Sequence, residues 1–200
     1  TIIVLTCVVF LPLLISLWTS FTPFKLTKPD TLYKFVGFRN YERLIGDYDF
    51  WVAFGRTVLF LTIALNLELV FGLGIALLIN KITYAQKTLR TLMMFPMMFS
   101  PILVGFQWKY IFNDNIGLLN NFLREFGVIN PIPWLVDATL ANISIMAAEI
   151  WSSTSVFAIL LLAGLMGIPK DPIEAAKVDG CNSWQVFKNI TLPFLMPFIF

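Results

Sequence analysis

Long apolar stretches separated by short polar ones dominate the chain. Residues 1–24 carry no charged side chain, and 1–21 are almost continuously apolar around Pro12. A second apolar run covers about 56–79, with Glu68 inside it. A third covers about 91–111, uncharged from Thr91 to Trp108 and carrying Pro96 and Pro101. A fourth covers about 138–167, with Glu149 as its charge, and a fifth begins at Leu192 and is cut off at Phe200. Roughly 20 apolar residues in a helix cross a hydrocarbon core of about 30 Å. The first four runs therefore predict membrane-crossing helices, and 192–200 predicts the start of another. No basic segment precedes the first run and no small-residue cleavage site follows it, so it reads as a crossing rather than a signal peptide. The predicted class is an all-α, polytopic membrane protein, with one domain over 1–200. A start at Thr1 rather than Met, and an end inside an apolar run, read as a piece of a longer protein.

Four polar pieces separate the runs. Residues 25–50 are mixed in charge and hold the run Gly37-Phe38-Arg39-Asn40-Tyr41. Residues 80–90 are short and basic, and 112–137 predict a short helix at about 117–126. The loop Lys and Arg residues do not orient the chain. Lys81, Lys87, Arg90, Lys170, Lys177 and Lys188 on one side face Lys25, Lys28, Lys34, Arg39, Arg43 and Arg124 on the other, six against six. Gly72 with Ala76, and Ala163 with Gly167, repeat small residues at the spacing that lets helix backbones approach in lipid.

Composition agrees with this picture. Apolar residues make up 58% of the chain and charged ones 13%, against roughly 45–50% and about 25% in soluble domains. A net charge of +2 gives no reason for a nucleic-acid partner. The absence of histidine removes Ser-His and Cys-His nucleophiles and imidazole metal sites. Cys7 and Cys181 form no metal-ligand pattern. Neither a metal nor a cofactor is expected, and no phosphate-cradling Gly-rich loop of the G-x-x-x-x-G-K-[ST] type occurs. The chain does not read as an enzyme.

The most informative polar piece is 168–191. Gly167 and Pro169 stop the fourth run. Asp171 is a candidate N-cap, with Pro172 at the first helical position and Glu174 completing a capping-box variant. This predicts a helix over about 172–179, ended by Gly180. Asn182 and Gln185 repeat the capping pattern and predict a second helix over 183–190, with Trp184, Phe187 and Ile190 on one side. Pro193 would open the next span. Ala175 and Ala176 would let a partner's backbone approach, while Lys177 and Asp179 fix its register. An amphipathic loop resting on lipid headgroups is the plainer reading of the same pattern.

Glu174-Ala175-Ala176, Gly180 and Ile190-Thr191-Leu192-Pro193 together resemble the EAA signature of permease subunits of ATP-binding-cassette importers. The form EAA-x3-G-x9-I-x-LP fits without a gap. Ala163-Gly164-Leu165, Ile168-Pro169, the 37–41 run, the basic loop before Pro96 and Trp134-Leu135 also fit, so the resemblance covers essentially the whole chain. It is closest to the maltose-type, binding-protein-dependent sugar permeases. The resemblance implies a type I importer permease fold with six crossings, of which about five are begun here. It places 80–90 and 168–191 in the cytoplasm. It makes 168–191 a coupling loop, with Glu174, Ala175, Ala176, Asp179 and Gly180 at the contact. It implies a second permease subunit, two ATPase subunits and a periplasmic or lipid-anchored solute-binding protein as partners. The location it implies is the plasma membrane of a bacterium or archaeon, and the cargo a sugar, oligosaccharide or polyol.

A charge inside a crossing costs about 2.5–3.5 kcal/mol on insertion scales and marks a functional candidate. Glu149 is followed by Trp151, Ser152, Ser153, Thr154 and Ser155. Carboxylate and hydroxyls can bond solute OH groups, and the indole can face C–H surfaces. A plainer reading pairs Glu149 with a neighbouring helix and bonds the hydroxyls to their own i−4 carbonyls. The resemblance matches the solute pathway to Glu149, Ser152, Ser153, Val156, Met97 and Pro101, with Trp151 and Ser100 beside them. The residues here depart from the maltose pattern at most of these positions. Glu68 carries no motif and reads as an interhelical hydrogen-bonding group. The rival from another class is a secondary transporter or channel using Glu68 and Glu149 as ion or proton sites.

Overall fold

The computed structural model describes residues 6–82 and 84–199, and among these no β-strand occurs; one isolated antiparallel bridge joins Lys25 and Lys28. The chain divides into two compact units, one ending at Val58 and the other starting at Leu59.

In the first unit a π-helical turn, Thr6–Phe10, runs into helix α1, Leu11–Ser20. Residues 1–5 of the first predicted crossing lie outside the described residues. A 3-10 turn, Pro29–Tyr33, and helix α2, Arg39–Ile45, follow. The 37–41 run is what ties this polar segment back to α1. Gly37 takes φ +59°, the left-handed region that favours glycine. The Asn40 amide then donates to the carbonyls of Ser20 and Thr22, both at 2.8 Å. These carbonyls belong to the end of α1, where the backbone lacks intrahelical partners. The Tyr41 hydroxyl shares a 2.7 Å hydrogen bond with Ser20 Oγ. Phe21 packs against Phe38 and Tyr41, each at a ring separation of 5.5 Å.

Helix α3 covers Tyr48–Lys81, starting eight residues before the apolar run predicted from 56. The reason is local. Asp47 Oδ1 accepts from the backbone N–H of Asp49 (3.0 Å) and Phe50 (3.3 Å), which caps the first turn ahead of the membrane segment.

The second unit contains the inner part of α3, then α4 (Gln86–Met98), α5 (Pro101–Ile111), α6 (Leu118–Glu125), α7 (Ala138–Met166), α8 (Lys170–Val178), α9 (Ser183–Val186) and α10 (Leu192–Ile199). Two of these helices, α3 and α7, are long and apolar enough to cross a membrane singly. The third predicted crossing is not one straight helix. It breaks between α4 and α5 with a 90° bend. Phe99 and Ser100 are extended there, with ψ of 140° and 138°. A residue preceding proline is pushed out of the helical region, and Pro101 has no N–H to continue the ladder.

The core lies between α3, α7 and α10: Ala76, Ile79, Leu161, Leu162, Leu165 and Leu195 are buried together. The buried α3 stripe in this unit is Ala64, Glu68, Gly72, Ala76 and Ile79, a helical spacing of three to four. At Gly72 the helices are so close that a Cβ would stand 2.7 Å from Phe157 Cβ and 3.1 Å from the Ala158 nitrogen. The Gly72/Ala76 pair therefore serves close packing. On α7 the close-packed glycine is Gly164, where a Cβ would meet Leu195 and Phe198 at 2.9 Å. Ala163 and Gly167, chosen from spacing, are exposed instead.

Candidate functional site: helix α7 and the loop that follows it

Helix α7 carries most of the predicted solute-facing residues. Its start is set by Asp137, whose Oδ1 accepts from the Thr139 and Leu140 N–H groups at 2.9 Å each. Its two faces differ. Ser144, Thr154, Ser155, Ala158, Leu161, Leu162 and Leu165 are buried. Glu149, Ser152, Ser153 and Val156 recur at i, i+3, i+4 and i+7, one side of a helix. On that side Glu149 and Val156 are exposed and the two serines half-buried. This chain leaves that face largely uncovered. Ser153 Oγ donates to Glu149 Oε1 at 2.9 Å. Among the described residues, none of the hydroxyls at 152–155 bonds its i−4 carbonyl. The plainer expectation of backbone-satisfied hydroxyls is therefore not met there.

Trp151 is held by an aromatic series. Its ring meets Trp108 edge to face at 5.9 Å, Trp108 stacks on Phe112 at 5.4 Å, and Phe112 tilts against Trp134 at 5.9 Å. The Trp134 indole N–H donates to Asn120 Oδ1 at 2.9 Å. Asn120 is buried and fully used: its amide donates to the carbonyls of Asp114 and Ile132, and its oxygen also accepts from the Ile132 N–H. The polar segment 112–137 is thereby locked beside the end of α5 and the start of α7. No sequence motif marked Asn120; only its place on the apolar-polar helix α6 hints at burial.

A cavity of about 660 Å³ lies where α3, α4 and α7 meet. Of the predicted pathway residues, Trp151 lines it. Its other α7 walls include Thr154 and Ser155, and α4 contributes Met93 and Pro96. The Thr154 hydroxyl is buried and, among the described residues, has no hydrogen-bond partner. Thr154 and Ser155 belong to the hydroxyl run noted in the sequence, but the resemblance pointed to Ser152, Ser153 and Val156 around them. Met97 is about half exposed at the end of α4, and Ser100 and Pro101 are exposed at the bend. They and Glu149, Ser152, Ser153 and Val156 lie outside the lining of that cavity. Glu68 is 3% exposed on the α7-facing stripe of α3. Its carboxyl group is close enough to that of Glu149 for the two to interact electrostatically, a proximity that sequence separation concealed.

The loop after α7 takes the form of two helices joined by a tight turn. Helix α8 begins at Lys170, with Pro169 at the cap position and no side-chain cap. Asp171 thus lies inside the first turn rather than capping it, where its charge still suits the helix dipole. The expected pairing of Asp171 with Glu174 in a capping box is absent. At the other end, Gly180 takes φ +80°. Its N–H donates to Lys177 O at 3.1 Å, and the Cys181 N–H to Ala176 O at 2.9 Å. This is the paired C-terminal arrangement that needs a left-handed residue, hence glycine. Asn182 and Gln185 do form a reciprocal box: the Asn182 N–H donates to Gln185 Oε1 at 2.7 Å and the Gln185 N–H to Asn182 Oδ1 at 2.9 Å. Glu174, Ala175, Asp179 and Gly180 are exposed and Ala176 is half-buried. Val178 and Trp184, 88% and 67% exposed, add apolar surface that this chain does not cover. Beyond α9 the helix does not restart at Pro193. A π-helical turn, Phe187–Thr191, carries it directly into α10.

Residues 68–200 match the family described as binding-protein-dependent transport system inner membrane component. The chain is 34% identical over 196 residues to a probable ABC transporter permease protein of Sinorhizobium fredii, covering 98% of this chain and 63% of that protein. It is 35% identical over 192 residues to a trehalose/maltose transport system permease protein of Thermococcus litoralis, covering 94% and 63%. It is 35% identical over 167 residues to an osmoprotective compounds uptake permease protein of Synechocystis, covering 80% and 59%. The chain thus spans about three-fifths of the length of these relatives. Its fold is similar to that of a chain in the crystal structure of a bacterial ABC transporter that imports alginate, with a TM-score of 0.81 at 23% identity, over 99% of this chain and 66% of that one.

Proposed function

Because the chain belongs to the family of inner-membrane components of binding-protein-dependent transport systems, we propose that it is a permease subunit of an ATP-driven importer whose cargo is a sugar, oligosaccharide or polyol. The relatives named for trehalose/maltose and for osmoprotective compounds support that cargo class. The observation that carries the reading is the exposed α8–α9 pair. Its two capped ends fix the shape of the loop, and its outer surface of Glu174, Ala175, Asp179 and Gly180 has no cover from this chain.

In this reading a separate ATPase subunit receives α8. Short side chains at Ala175 and Ala176 let it approach, and Glu174 and Asp179 supply fixed charge. Movement of α8 is passed to α7, whose end at Met166 is separated from Lys170 by three residues, and to α10 through the continuous helix from Ser183. The face bearing Glu149, Ser152, Ser153 and Val156 is then alternately opened to the two sides of the membrane. Glu149 offers two acceptor oxygens to solute hydroxyls, with Ser153 orienting one of them. A second permease subunit faces this surface, and an external binding protein delivers the solute.

Glu174→Lys in the full-length permease tests the reading. ATP-driven uptake is expected to be lost while insertion and abundance stay normal. Unchanged uptake in a correctly inserted variant removes α8 as the coupling element.

A further inference from the structure

Another cavity, of about 550 Å³, lies between α3 and the α8–α9 segment. One wall is the α3 face Val70, Leu73, Gly74 and Leu77, ending in Lys81. The facing wall includes Trp184 and Phe187, stacked at 5.5 Å. Lys177 and Ser183 also line it, and no carboxylate does. Lys81 and Lys177 form no ion pair among the described residues. Gly74 leaves open space: nothing lies within 4 Å of the position its Cβ would take.

The lining thus changes character along α3, from wholly apolar at Val70 to cationic at Lys81. That stretch rises about 16 Å at roughly 1.5 Å per residue, close to half of a hydrocarbon core of about 30 Å. One leaflet has the same depth and the same order of chemistry, with acyl chain inside and headgroup at the surface. Basic side chains at a membrane surface attract anionic lipid. We propose that this cavity binds one anionic phospholipid of the leaflet at the Lys81 end of α3. Its acyl chain lies along Val70–Leu77 against Trp184 and Phe187, and its phosphate lies between Lys81 and Lys177. The inference requires only that the Lys81 end of α3 reach a membrane surface; it does not depend on the ATPase or the solute.

The test uses the full-length permease, reconstituted in vesicles of equal parts phosphatidylglycerol and phosphatidylcholine, released into mild detergent, and weighed by native mass spectrometry without nucleotide or solute. One retained phosphatidylglycerol per chain is expected, in preference to phosphatidylcholine. Lys81→Gln with Lys177→Gln should lower that retention roughly ten-fold or more. Gly74→Leu should block it while leaving the fold intact, because the open space accepts the added side chain. A phosphatidylglycerol with a photoactivatable acyl chain should label peptides containing Val70–Leu77 or Trp184–Phe187. Equal retention of the two lipids, or retention unaffected by the double substitution, would overturn the proposal. So would a cross-link from Cys181, which lines the cavity, to a protein segment filling the space.

Discussion

Single residues decide more of this structure than the apolar pattern alone discloses. Gly72 packs without a Cβ against Phe157 and Ala158, on the same stripe as buried Glu68 and Ala76. Gly72→Leu is therefore expected to destabilise the α3–α7 contact by about 1–3 kcal/mol or more, read as a lower midpoint of thermal unfolding in detergent. Gly74→Leu, facing open space, should leave that midpoint nearly unchanged. If both variants unfold alike, the close approach at Gly72 is wrong. Asn120 makes a comparable prediction through hydrogen bonds. Asn120→Leu leaves the Ile132 N–H and the Trp134 indole N–H without their acceptor, at roughly 1 kcal/mol for each of these part-buried donors. Trp134 fluorescence should shift and broaden if the indole loses its anchor; an unchanged spectrum would argue against it. Glu149 was legible as a charge in an apolar run, and the structure puts it on an uncovered helix face. Its nearness to Glu68 was not legible, because 81 positions separate them and only tertiary packing joins them. Glu149→Gln keeps the shape and removes the charge. It is expected to change the KM for the transported solute with little change in insertion, and an unaltered KM removes Glu149 from the pathway.

At the scale of elements, apolar run length located the helices, while their ends and breaks followed from rules that a hydropathy pattern does not contain. The start of α3 depends on Asp47 as a cap, ahead of the apolar stretch. The 90° break between α4 and α5 depends on Pro101 acting on Ser100; the two prolines in that run were visible, but the size of the bend was not. Proline acts differently at 193. There a π turn, Phe187–Thr191, lies just before it and the chain stays helical through Ile199. The same order, a π turn followed by a proline, occurs at Thr6–Phe10 and Pro12. In the 168–191 loop, Gly180 and the Asn182–Gln185 box were legible, since each carries a stereochemical requirement. The Asp171 cap was not realised, because the helix starts two residues earlier, with Pro169 at the cap position. Asn182→Ala is expected to loosen α9 by about 1 kcal/mol. Hydrogen exchange of the Ser183–Phe187 amides should then speed up several-fold while α7 amides keep their protection. Unchanged exchange at α9 would show that tertiary packing, not the box, holds that helix.

At the scale of the whole molecule, the all-α membrane class followed from run length and low charge, and the EAA-like signature carried the family. The proposed partners at α8 and at the Glu149 face are a separate matter, since this chain shows only that both surfaces are exposed. One measurement separates an importer driven by an ATPase from a secondary transporter or channel that would use Glu68 and Glu149. The full-length permease, co-reconstituted in proteoliposomes with its companion permease, the ATPase subunits and the binding protein, is assayed for uptake of labelled solute. Uptake should require ATP inside the side that α8 faces, stop with a non-hydrolysable analogue, and persist when ionophores collapse every ion gradient. Uptake that continues without ATP and disappears with the ion gradient would contradict the account.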